Sequence, residues 1–239
     1  SLGRRRRGGL NPGGGFSPKA IPGLVFWADA SYITGLNDGD SITTWNDLSG
    51  NGYNATQATA SKKPVYKINI VNGKPIGRFD YVDDFLSTSV PHITRISAFV
   101  VGALPNNWAA FFEYGATGII NSGYSMYQED GFIWQLKPTD ALVRATTANG
   151  ISSAFKIFTG MHDGINLTTY INGAAGTSAA VGNPGNTLTT LYVGIRGDAI
   201  SYPLGGDIAT LIIYNSVLSA SSRQRLERYL STRYGIALP

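Results

Sequence analysis

The sequence contains no cysteine, and only 14% of its residues are charged. Without cysteine, the chain can form no disulfide, no thiolate metal site and no cysteine nucleophile. The low charge favours β-strands with polar, uncharged loops over exposed helices. No apolar run approaches the roughly 18–20 residues that a membrane-spanning helix needs. We therefore expect no cysteine chemistry and no membrane partner.

Histidine and glutamate are also scarce, which restricts enzymatic chemistry. A glycosidase needs two carboxyl groups about 5–10 Å apart across the scissile bond, and Glu113, Glu129 and Glu227 share no strand pattern. A catalytic triad would need His92 or His162, and neither lies near a nucleophile-elbow pattern. We interpret both histidines as turn or surface residues. The sequence therefore indicates a protein that is not an enzyme, with a glucanase-like hydrolase as the remaining alternative.

Glycine and aromatic residues are abundant, with 30 Gly, 13 Tyr and 10 Phe. Glycine supplies turns, and aromatic side chains pack well on pleated sheets. Apolar segments recur at spacings of about ten residues, which is typical of a β-sandwich or jelly roll. The run at residues 96–103 (ISAFVVGA) is almost continuous and predicts a strand buried on both faces. Further strands are predicted near residues 23–28, 75–80, 110–114, 124–128, 132–136, 154–159, 167–172, 190–195 and 207–214.

One α-helix is predicted close to the C-terminus. Ser219 is a suitable N-cap, and Gly235 stands where a glycine ends a helix. Between them Leu226, Tyr229 and Leu230 fall on one face at helical spacing. Arginines are expected to occupy the rest of the helix surface: Arg223, Arg225, Arg228 and Arg233.

The first twenty residues differ from the rest of the chain in composition. They carry five cations and no acid, so subtracting them from the net charge of +4 leaves −1 for the body. Glycine and proline dominate this segment, which cannot bury enough apolar area to offset its ordering entropy. We predict an extended basic arm at residues 1–20 and a single domain at 21–239. The residues expected to bind a partner are Arg4, Arg5, Arg6, Arg7, Leu10 and Phe16.

Five motifs follow one another through the body. They are residues 22–31 (PGLVFWADAS), 42–56 (ITTWNDLSGNGYNAT), 77–88 (GRFDYVDDFLST), 161–174 (MHDGINLTTYINGA) and 205–236. The last motif runs from the final predicted strand into the C-terminal helix. In this order they resemble the concanavalin A-like, laminin-G-type lectin and glucanase domains. The resemblance covers about nine-tenths of the chain. It implies an all-β fold, an antiparallel sandwich of the jelly-roll type with one short C-terminal helix.

The resemblance also suggests where ligands bind. In the third motif Tyr81 stands where the family usually has glycine, followed by Asp83 and Asp84. Laminin-G-like domains often hold one Ca²⁺ at a rim, which makes Asp80, Asp83 and Asp84 candidate ligands. We favour the alternative that these residues, like Asp163 and Asp198, form turns, and we expect no cofactor. Aromatic residues near turns are the candidates for stacking on a glycan: Tyr124, Tyr127, Trp134 and Tyr202.

The arm and the opening strand together (GGGFSPKAIPGLVFWADAS) resemble phage virion proteins. This implies a structural protein of the virion, either a capsid decoration (cement) protein or a fibre-like appendage. Its expected partners are the major capsid protein or other virion subunits, and we expect the protein itself to form a homotrimer. In the alternative, a carbohydrate-binding host-recognition module, the expected partners are host-surface glycans. Four consecutive arginines suit acidic groups of a partner protein, with phosphate groups of nucleic acid or lipopolysaccharide as the alternative. Because no aromatic residues alternate with them, we do not expect nucleic acid as the partner.

Overall fold

The computed structural model describes residues 15–115, 123–129, 131–136, 143–147, 152–181 and 188–239. Their strands, numbered β1 to β16 in chain order, form two antiparallel sheets of eight strands each. The sheets pack as a sandwich, and one helix near the C-terminus covers one of them. The predicted all-β sandwich with a single short C-terminal helix is confirmed.

The first sheet has the strand order β14-β13-β12-β7-β16-β5-β4, and β1 pairs with the second half of β16. Its strands are β1 (Leu24–Asp29), β4 (Val65–Val71), β5 (Lys74–Asp80), β7 (Ile96–Leu104), β12 (Ser152–His162), β13 (Asn166–Ile171), β14 (Ala174–Ala180) and β16 (Gly205–Tyr214). All residues of the two central strands, β7 and β16, are buried. The prediction that the run beginning at Ile96 is buried on both faces is confirmed.

The second sheet has the order β11-β10-β9-β8-β15-β6-β3-β2. Its strands are β2 (Thr44–Trp45), β3 (Ala55–Thr56), β6 (Leu86–Thr88), β8 (Ala109–Gly115), β9 (Ser125–Gln128), β10 (Phe132–Leu136), β11 (Val143–Thr147) and β15 (Thr190–Val193). The core between the two sheets is rich in aromatic side chains, which explains the composition. Its largest members include Phe26, Trp45, Phe111, Phe112, Tyr124, Phe132, Trp134 and Phe158.

The helix, α1 (Ala220–Tyr234), covers the outer face of the first sheet. Ser219 Oγ accepts a hydrogen bond from the Ser222 amide, and Gly235 ends the helix at φ 66°, so both predicted caps are confirmed. The buried side chains of Leu226 and Leu230 join a second core with residues of β7, β12 and β16. Within the described residues, no helix has the length and apolarity to cross a membrane.

Arg223 departs from its predicted place on the exposed side of the helix. It is only 8% exposed, and its guanidinium lies 3.9 Å from the centroid of the Tyr170 ring. Arg223 donates to Glu227 at 2.6 Å, and Glu227 also accepts from Thr159 on β12 at 3.2 Å. The prediction was wrong because helical spacing alone does not reveal a buried carboxylate that needs a cation.

The N-terminal segment packs on the body earlier than the predicted boundary at residue 20. Pro18 is buried, and its carbonyl accepts a hydrogen bond from the Tyr214 hydroxyl at 2.9 Å. The Phe16 ring meets Tyr229 of α1 at a centroid distance of 5.4 Å. Phe16, predicted to anchor a partner, is therefore engaged by its own chain. Arg4, Arg5, Arg6, Arg7 and Leu10 lie outside the described residues.

Candidate functional site

Three loops meet at one end of the sandwich. They are the turn after β5, the β7–β8 connection at residues 105–108 and the β15–β16 connection at residues 194–204. The Tyr81 amide donates to the Leu204 carbonyl at 3.0 Å, and the Ala110 amide donates to the Tyr202 carbonyl at 3.0 Å. The Tyr81 hydroxyl donates to the Asn107 carbonyl at 2.9 Å. These bonds tie the three loops into one surface.

Each of these loops holds an aromatic residue in the left-handed backbone region. The φ angles are 68° at Tyr81, 55° at Trp108 and 52° at Tyr202. This conformation costs a residue other than Gly, Asn or Asp on the order of 1–2 kcal/mol. Tyr81 and Trp108 are also 43% and 45% exposed, so burial does not account for them. Strain concentrated on exposed aromatic residues at one end of a fold points to a functional site.

A groove with a volume of about 600 Å³ opens beside Tyr81. Gly205 and Gly206 of β16 line it, and a Cβ at Gly205 would collide with Asn106 Nδ2 and lie 2.7 Å from Tyr81 Cβ. Glycine is therefore what allows Tyr81 and Asn106 to approach each other over the strand. The other lining residues are Ile70, Arg78, Phe79, Asp80, Ala103, Pro105, Ser153, Phe155 and Asp207.

The groove presents charged and polar groups in fixed geometry. Arg78 donates to both carboxylate oxygens of Asp207, from Nε at 2.8 Å and from Nη2 at 2.9 Å. This pairing raises the pKa of Arg78. Asp80 is exposed at the rim, and Asn106 donates to the Gly205 carbonyl at 3.4 Å. Donors and acceptors thus stand next to the aromatic ring of Tyr81.

The rings of Trp108 and Tyr202 form a second aromatic surface across the same loops. Their centroids are 5.2 Å apart in an edge-to-face arrangement. Below them the Arg196 guanidinium lies 4.3 Å from the Tyr202 ring centroid and 5.2 Å from that of Tyr127. Arg196 is 4% exposed and pairs with the fully buried Glu113 at 3.1 Å. The buried pair therefore supports the aromatic residues above it.

Three of the four aromatic residues predicted to contact a glycan lie in the interior. Tyr124, Tyr127 and Trp134 are fully buried, and the Tyr124 and Trp134 rings stack at 5.3 Å. Proximity to turns was a misleading signal for them, because β9 and β10 lie within the second sheet. Tyr202 alone of the four reaches the surface, where it meets Trp108.

Tyr81 and Trp108 were missed as candidates. For Tyr81 a signal existed, since it stands where the domains that this motif resembles usually have glycine. For Trp108 the neighbouring asparagines marked a turn, and nothing in the local sequence distinguished its ring from a core residue. Arg78 was missed because its partner Asp207 is more than 120 residues away in the chain.

The three predicted calcium ligands lie together on the turn after β5. One carboxylate oxygen from each of Asp80, Asp83 and Asp84 falls within 4.8 Å of the others. Asp80 Oδ1 accepts the amides of Val82 and Asp83, and Asp84 accepts the Asp80 amide at 3.2 Å. Burial and the neighbouring charges raise the pKa of Asp84 to about 7. These hydrogen bonds are typical of aspartates that form a turn. Asp83 Oδ2 also lies 3.7 Å from Lys62 Nζ, in a salt bridge.

Asp163 and Asp198 likewise form turns, as predicted. Asp163 Oδ1 accepts the amides of Ile165 and Asn166. Asp198 Oδ1 accepts hydrogen bonds from the amides of Ile200 and Ser201. These hydrogen bonds lower the pKa of Asp163.

Both histidines contact aromatic core side chains, but only His162 is buried in a strand, whereas His92 lies in the connection before β7 and is half-buried. His162 is fully buried in β12, and its Nδ1 lies 2.6 Å from the Tyr124 hydroxyl. His92 stacks on Tyr124 at 5.0 Å and meets Tyr114 edge-on. Burial lowers the pKa of His92 to about 4. The interpretation of His162 as a turn residue was wrong because β12 extends to that position.

Each glutamate is paired with an arginine. Besides the pairs of Glu113 and Glu227, Glu129 lies 3.1 Å from Arg144 and accepts from the Tyr127 hydroxyl at 3.2 Å. Burial raises the pKa of both Glu113 and Glu227 despite their cations. All three carboxylates are thus engaged in ion pairs.

No family model and no curated protein matches this sequence. Several solved structures, in contrast, are similar to this chain. The binding domain of Paraclostridial Mosquitocidal Protein 1 is similar with a TM-score of 0.62 at 15% identity over 89% of this chain and 53% of that chain. The botulinum neurotoxin type G receptor binding domain is similar with a TM-score of 0.63 at 13% identity, over 87% of this chain and 51% of that chain.

A botulinum neurotoxin type C structure gives a TM-score of 0.60 at 14% identity, over 87% of this chain and 51% of that chain. It was reported with the finding that cell entry of that toxin is dependent upon interaction with two ganglioside molecules. This chain spans about half the length of these proteins. At such identities the likeness concerns the β-sandwich fold.

Proposed function

We propose that this chain is a non-enzymatic carbohydrate-binding module and that the glycan binds in the groove beside Tyr81. The observation that carries the proposal is the placement of strained, exposed aromatic rings next to fixed polar groups. A sugar ring has apolar C–H faces, which pack on aromatic rings, and hydroxyls, which need donors and acceptors. The groove offers both.

Individual groups of the groove have distinct roles in this proposal. The Tyr81 ring packs against a sugar face, and the Asn106 amide and Asp80 carboxylate exchange hydrogen bonds with hydroxyls. The bidentate pairing with Asp207 holds the Arg78 guanidinium in place, so little side-chain entropy is lost on binding. Trp108 and Tyr202 extend the apolar surface for a second sugar unit.

We do not propose a catalytic role, because the three glutamates, and Asp207 in the groove, are each held in an ion pair by an arginine. Glu113 is fully buried against Arg196, and Glu227 is held by Arg223. In the groove itself Asp207 is held by Arg78. Hydrolysis of a glycosidic bond needs one carboxyl group to protonate the leaving oxygen while a second acts on the opposite face. The similar solved structures, which are binding domains, support the same conclusion.

A glycan array with the full chain, followed by calorimetry on the best ligand, tests the proposal. We expect Tyr81→Ala to weaken binding by about tenfold or more, because the stacking ring is lost. The matched control is Tyr32→Ala, which removes a tyrosine of similar exposure, 48%, that does not line the groove. Absence of any glycan binding at millimolar ligand, or equal affinity of the two variants, would contradict the proposal.

We propose a second function for the arm: docking of the protein on a phage particle as a decoration protein or fibre-like subunit, in a homotrimer. Two observations favour it: the run Arg4–Arg7 and the charge contrast between this segment and the near-neutral body. Electrostatic docking through the arm leaves the sandwich free to face outward, so both functions are compatible.

Co-sedimentation with particles assembled without the protein tests this docking. The full chain with serine at positions 4–7 should lose particle binding and keep its glycan affinity. Unchanged co-sedimentation of that variant would contradict the docking role. Analytical ultracentrifugation of the wild-type chain tests the proposed trimer.

A further inference from the structure

The groove beside Tyr81, which we call the Tyr81 groove, has an uneven balance of charge. Among the described residues that line it, Arg78, Asp80 and Asp207 are the charged ones. The Arg78 guanidinium is held by both carboxylate oxygens of Asp207, and the charge of Asp38 acts on it as well. The cation of the groove is therefore neutralised by its own chain, and the negative charge of Asp80 is left over.

The pairing of β5 with β16 explains why Asp80 has no cation beside it. Arg78 lies opposite Asp207 in the antiparallel register, whereas Asp80 lies opposite Gly205. Opposite charges stabilise each other across such a pair, and a glycine has no side chain with which to do so. Within the described residues Asp80 accordingly forms no salt bridge.

The turn after β5 fixes the orientation of the Asp80 carboxylate. Its Oδ1 accepts the Val82 amide at 2.8 Å and the Asp83 amide at 3.3 Å. Its Oδ2 takes part in neither bond, and the residue is exposed at the rim of the groove. Because the group is already oriented, little side-chain entropy is lost when it binds a ligand. Asp80 thus presents one fixed, negatively charged acceptor beside the Tyr81 ring.

The acids next to Asp80 add to its field and do not cancel it. Carboxylate oxygens of Asp83 and Asp84 lie within 4.8 Å of an Asp80 oxygen. Lys62 lies 3.7 Å from Asp83 and offsets that charge. Burial raises the pKa of Asp84 to about 7, so this carboxyl group is partly ionised at neutral pH. An anion that enters the groove therefore meets net negative charge at the rim.

Sugars differ in how they meet such a charge. The hydroxyl and N-acetyl N–H groups of a neutral sugar donate hydrogen bonds, and a carboxylate accepts them strongly. Sialic acids, uronic acids and sulfated sugars carry an anion of their own. At an effective dielectric constant of about 20–40, two like charges about 6 Å apart repel strongly enough to weaken binding about tenfold or more.

We infer that the Tyr81 groove selects neutral glycans and rejects acidic ones, and that Asp80 is the residue that determines this specificity. A hydroxyl or N–H group of the bound sugar donates to Asp80 Oδ2, while the apolar face of the sugar packs on Tyr81. The inference rests on the proposed glycan-binding function and names the class of glycan that the groove takes.

Pairs of glycans that differ only in an anionic group test the inference. Neutral oligosaccharides that bind on the array are compared with their sialylated and sulfated derivatives by calorimetry on the full chain in EDTA. We expect the neutral member of a pair to bind about tenfold more tightly or better. Added salt should strengthen binding of the acidic member, because it screens the repulsion, and leave the neutral member unchanged. This salt response requires no variant.

The variant Asp80→Asn removes the charge and keeps an oxygen that can accept the two turn amides. The ratio of neutral to acidic affinity should fall by about fivefold or more. The matched control is Asp163→Asn, in the turn between β12 and β13 outside the groove, where Oδ1 also accepts amides two and three residues further on. Its ratio should stay within about twofold of the wild type. Circular dichroism confirms that both variants are folded.

The failure of this inference is distinguishable from failure of the proposed function. Equal or tighter binding of the acidic glycans would overturn the inference and leave glycan binding in place. So would equal affinity ratios in Asp80→Asn and its control. If acidic glycans bound best and salt weakened them, the Arg78 cation and not Asp80 would govern the groove. Absence of binding to every glycan would remove the proposed function and the inference together.

Discussion

The backbone at Tyr81, Trp108 and Tyr202 concentrates strain in one place. Positive φ is common in this chain at glycine and at asparagines such as Asn72 and Asn172, which tolerate it. Exposed aromatic residues do not, and the hydrogen bonds among their loops hold them in position. Exposed residues that carry such a cost are expected to serve binding instead of stability.

Replacement of Tyr81 by glycine separates the two properties. Glycine relieves the strain at φ 68°, so the free energy of unfolding should rise by up to about 1 kcal/mol, less the hydrogen bond to Asn107. Glycan binding should fall with the loss of the ring. Urea unfolding and calorimetry on the same preparations measure both quantities. If Tyr81→Gly lowered the free energy of unfolding by more than Tyr81→Ala does, the strain argument would be wrong.

His92 makes the stability of the fold depend on pH. Its pKa is about 4 in the folded chain because of burial, against about 6.5 when unfolded. Between these values the unfolded chain binds a proton that the folded chain does not, so stability is present above pH 6.5 and is lost as pH falls towards 4. Allowing for partial exposure of the ring, we expect a loss of about 2 kcal/mol over this range.

The variant His92→Phe isolates this contribution. Phenylalanine keeps the stack on Tyr124 and cannot titrate, and His92 Nε2 has no hydrogen-bond partner to lose. Denaturant unfolding at pH 7 and pH 4.5 should therefore show a smaller loss of stability in the variant. Other titrating groups, including Asp84, act in both proteins and cancel in the comparison. Equal losses would contradict the assignment to His92.

At the scale of elements, the turn after β5 has two tasks: it positions Tyr81 and it carries three acids. The amides that donate to Asp80 Oδ1 and Asp84 Oδ2 shape the turn, and they engage one oxygen of each carboxylate that a cation would also use. Calcium takes about 6–8 oxygen ligands. A turn whose carboxylates serve its own amides is a poor start for such a shell.

We accordingly expect Ca²⁺ to leave the protein unchanged. The thermal midpoint in millimolar CaCl₂ should match that in EDTA at equal ionic strength. Asp84→Asn serves as the comparison, since it replaces the carboxyl group, whose pKa is raised, by an amide of the same size. If Ca²⁺ raised the midpoint of the wild type and not of this variant, the three acids would be a calcium site after all.

At the scale of the whole molecule, β16 separates the two proposed functions. Gly205 at its start lines the Tyr81 groove, and Tyr214 at its end donates to the Pro18 carbonyl, where the N-terminal segment packs on the body. With a rise of about 3.3 Å per residue, positions 205 and 214 lie roughly 30 Å apart along the strand. Sites at this distance without shared partners behave independently.

A chain carrying Tyr81→Ala together with serine at positions 4–7 tests this independence. It should lose glycan and particle binding to the same extents as the separate variants, within about 0.5 kcal/mol of additivity. Calorimetry for the glycan and co-sedimentation for the particles provide the two readouts. Stronger coupling would mean that the first sheet transmits a change between the two sites.

The sequence by itself determined the fold class and many of the elements. Aromatic and apolar segments between turn residues indicated the strands, and the Ser219 and Gly235 caps defined α1, because these signals are local. Strand β14 (AAGTSAA) was not predicted, since its small residues carry no alternating pattern and it is held by pairing with β13. Long-range pairing has no local signature.

Only the tertiary structure decided which residues come together in the proposed sites. A tyrosine near a turn is buried at Tyr124 and exposed at Tyr81, and that difference depends on how the sheets and loops pack. The pairs Arg78–Asp207 and Arg196–Glu113 join residues far apart in sequence. The Tyr81 groove needs β5, β16 and the β7–β8 connection together. Sites of this kind arise from the convergence of separate elements, which composition and spacing do not encode.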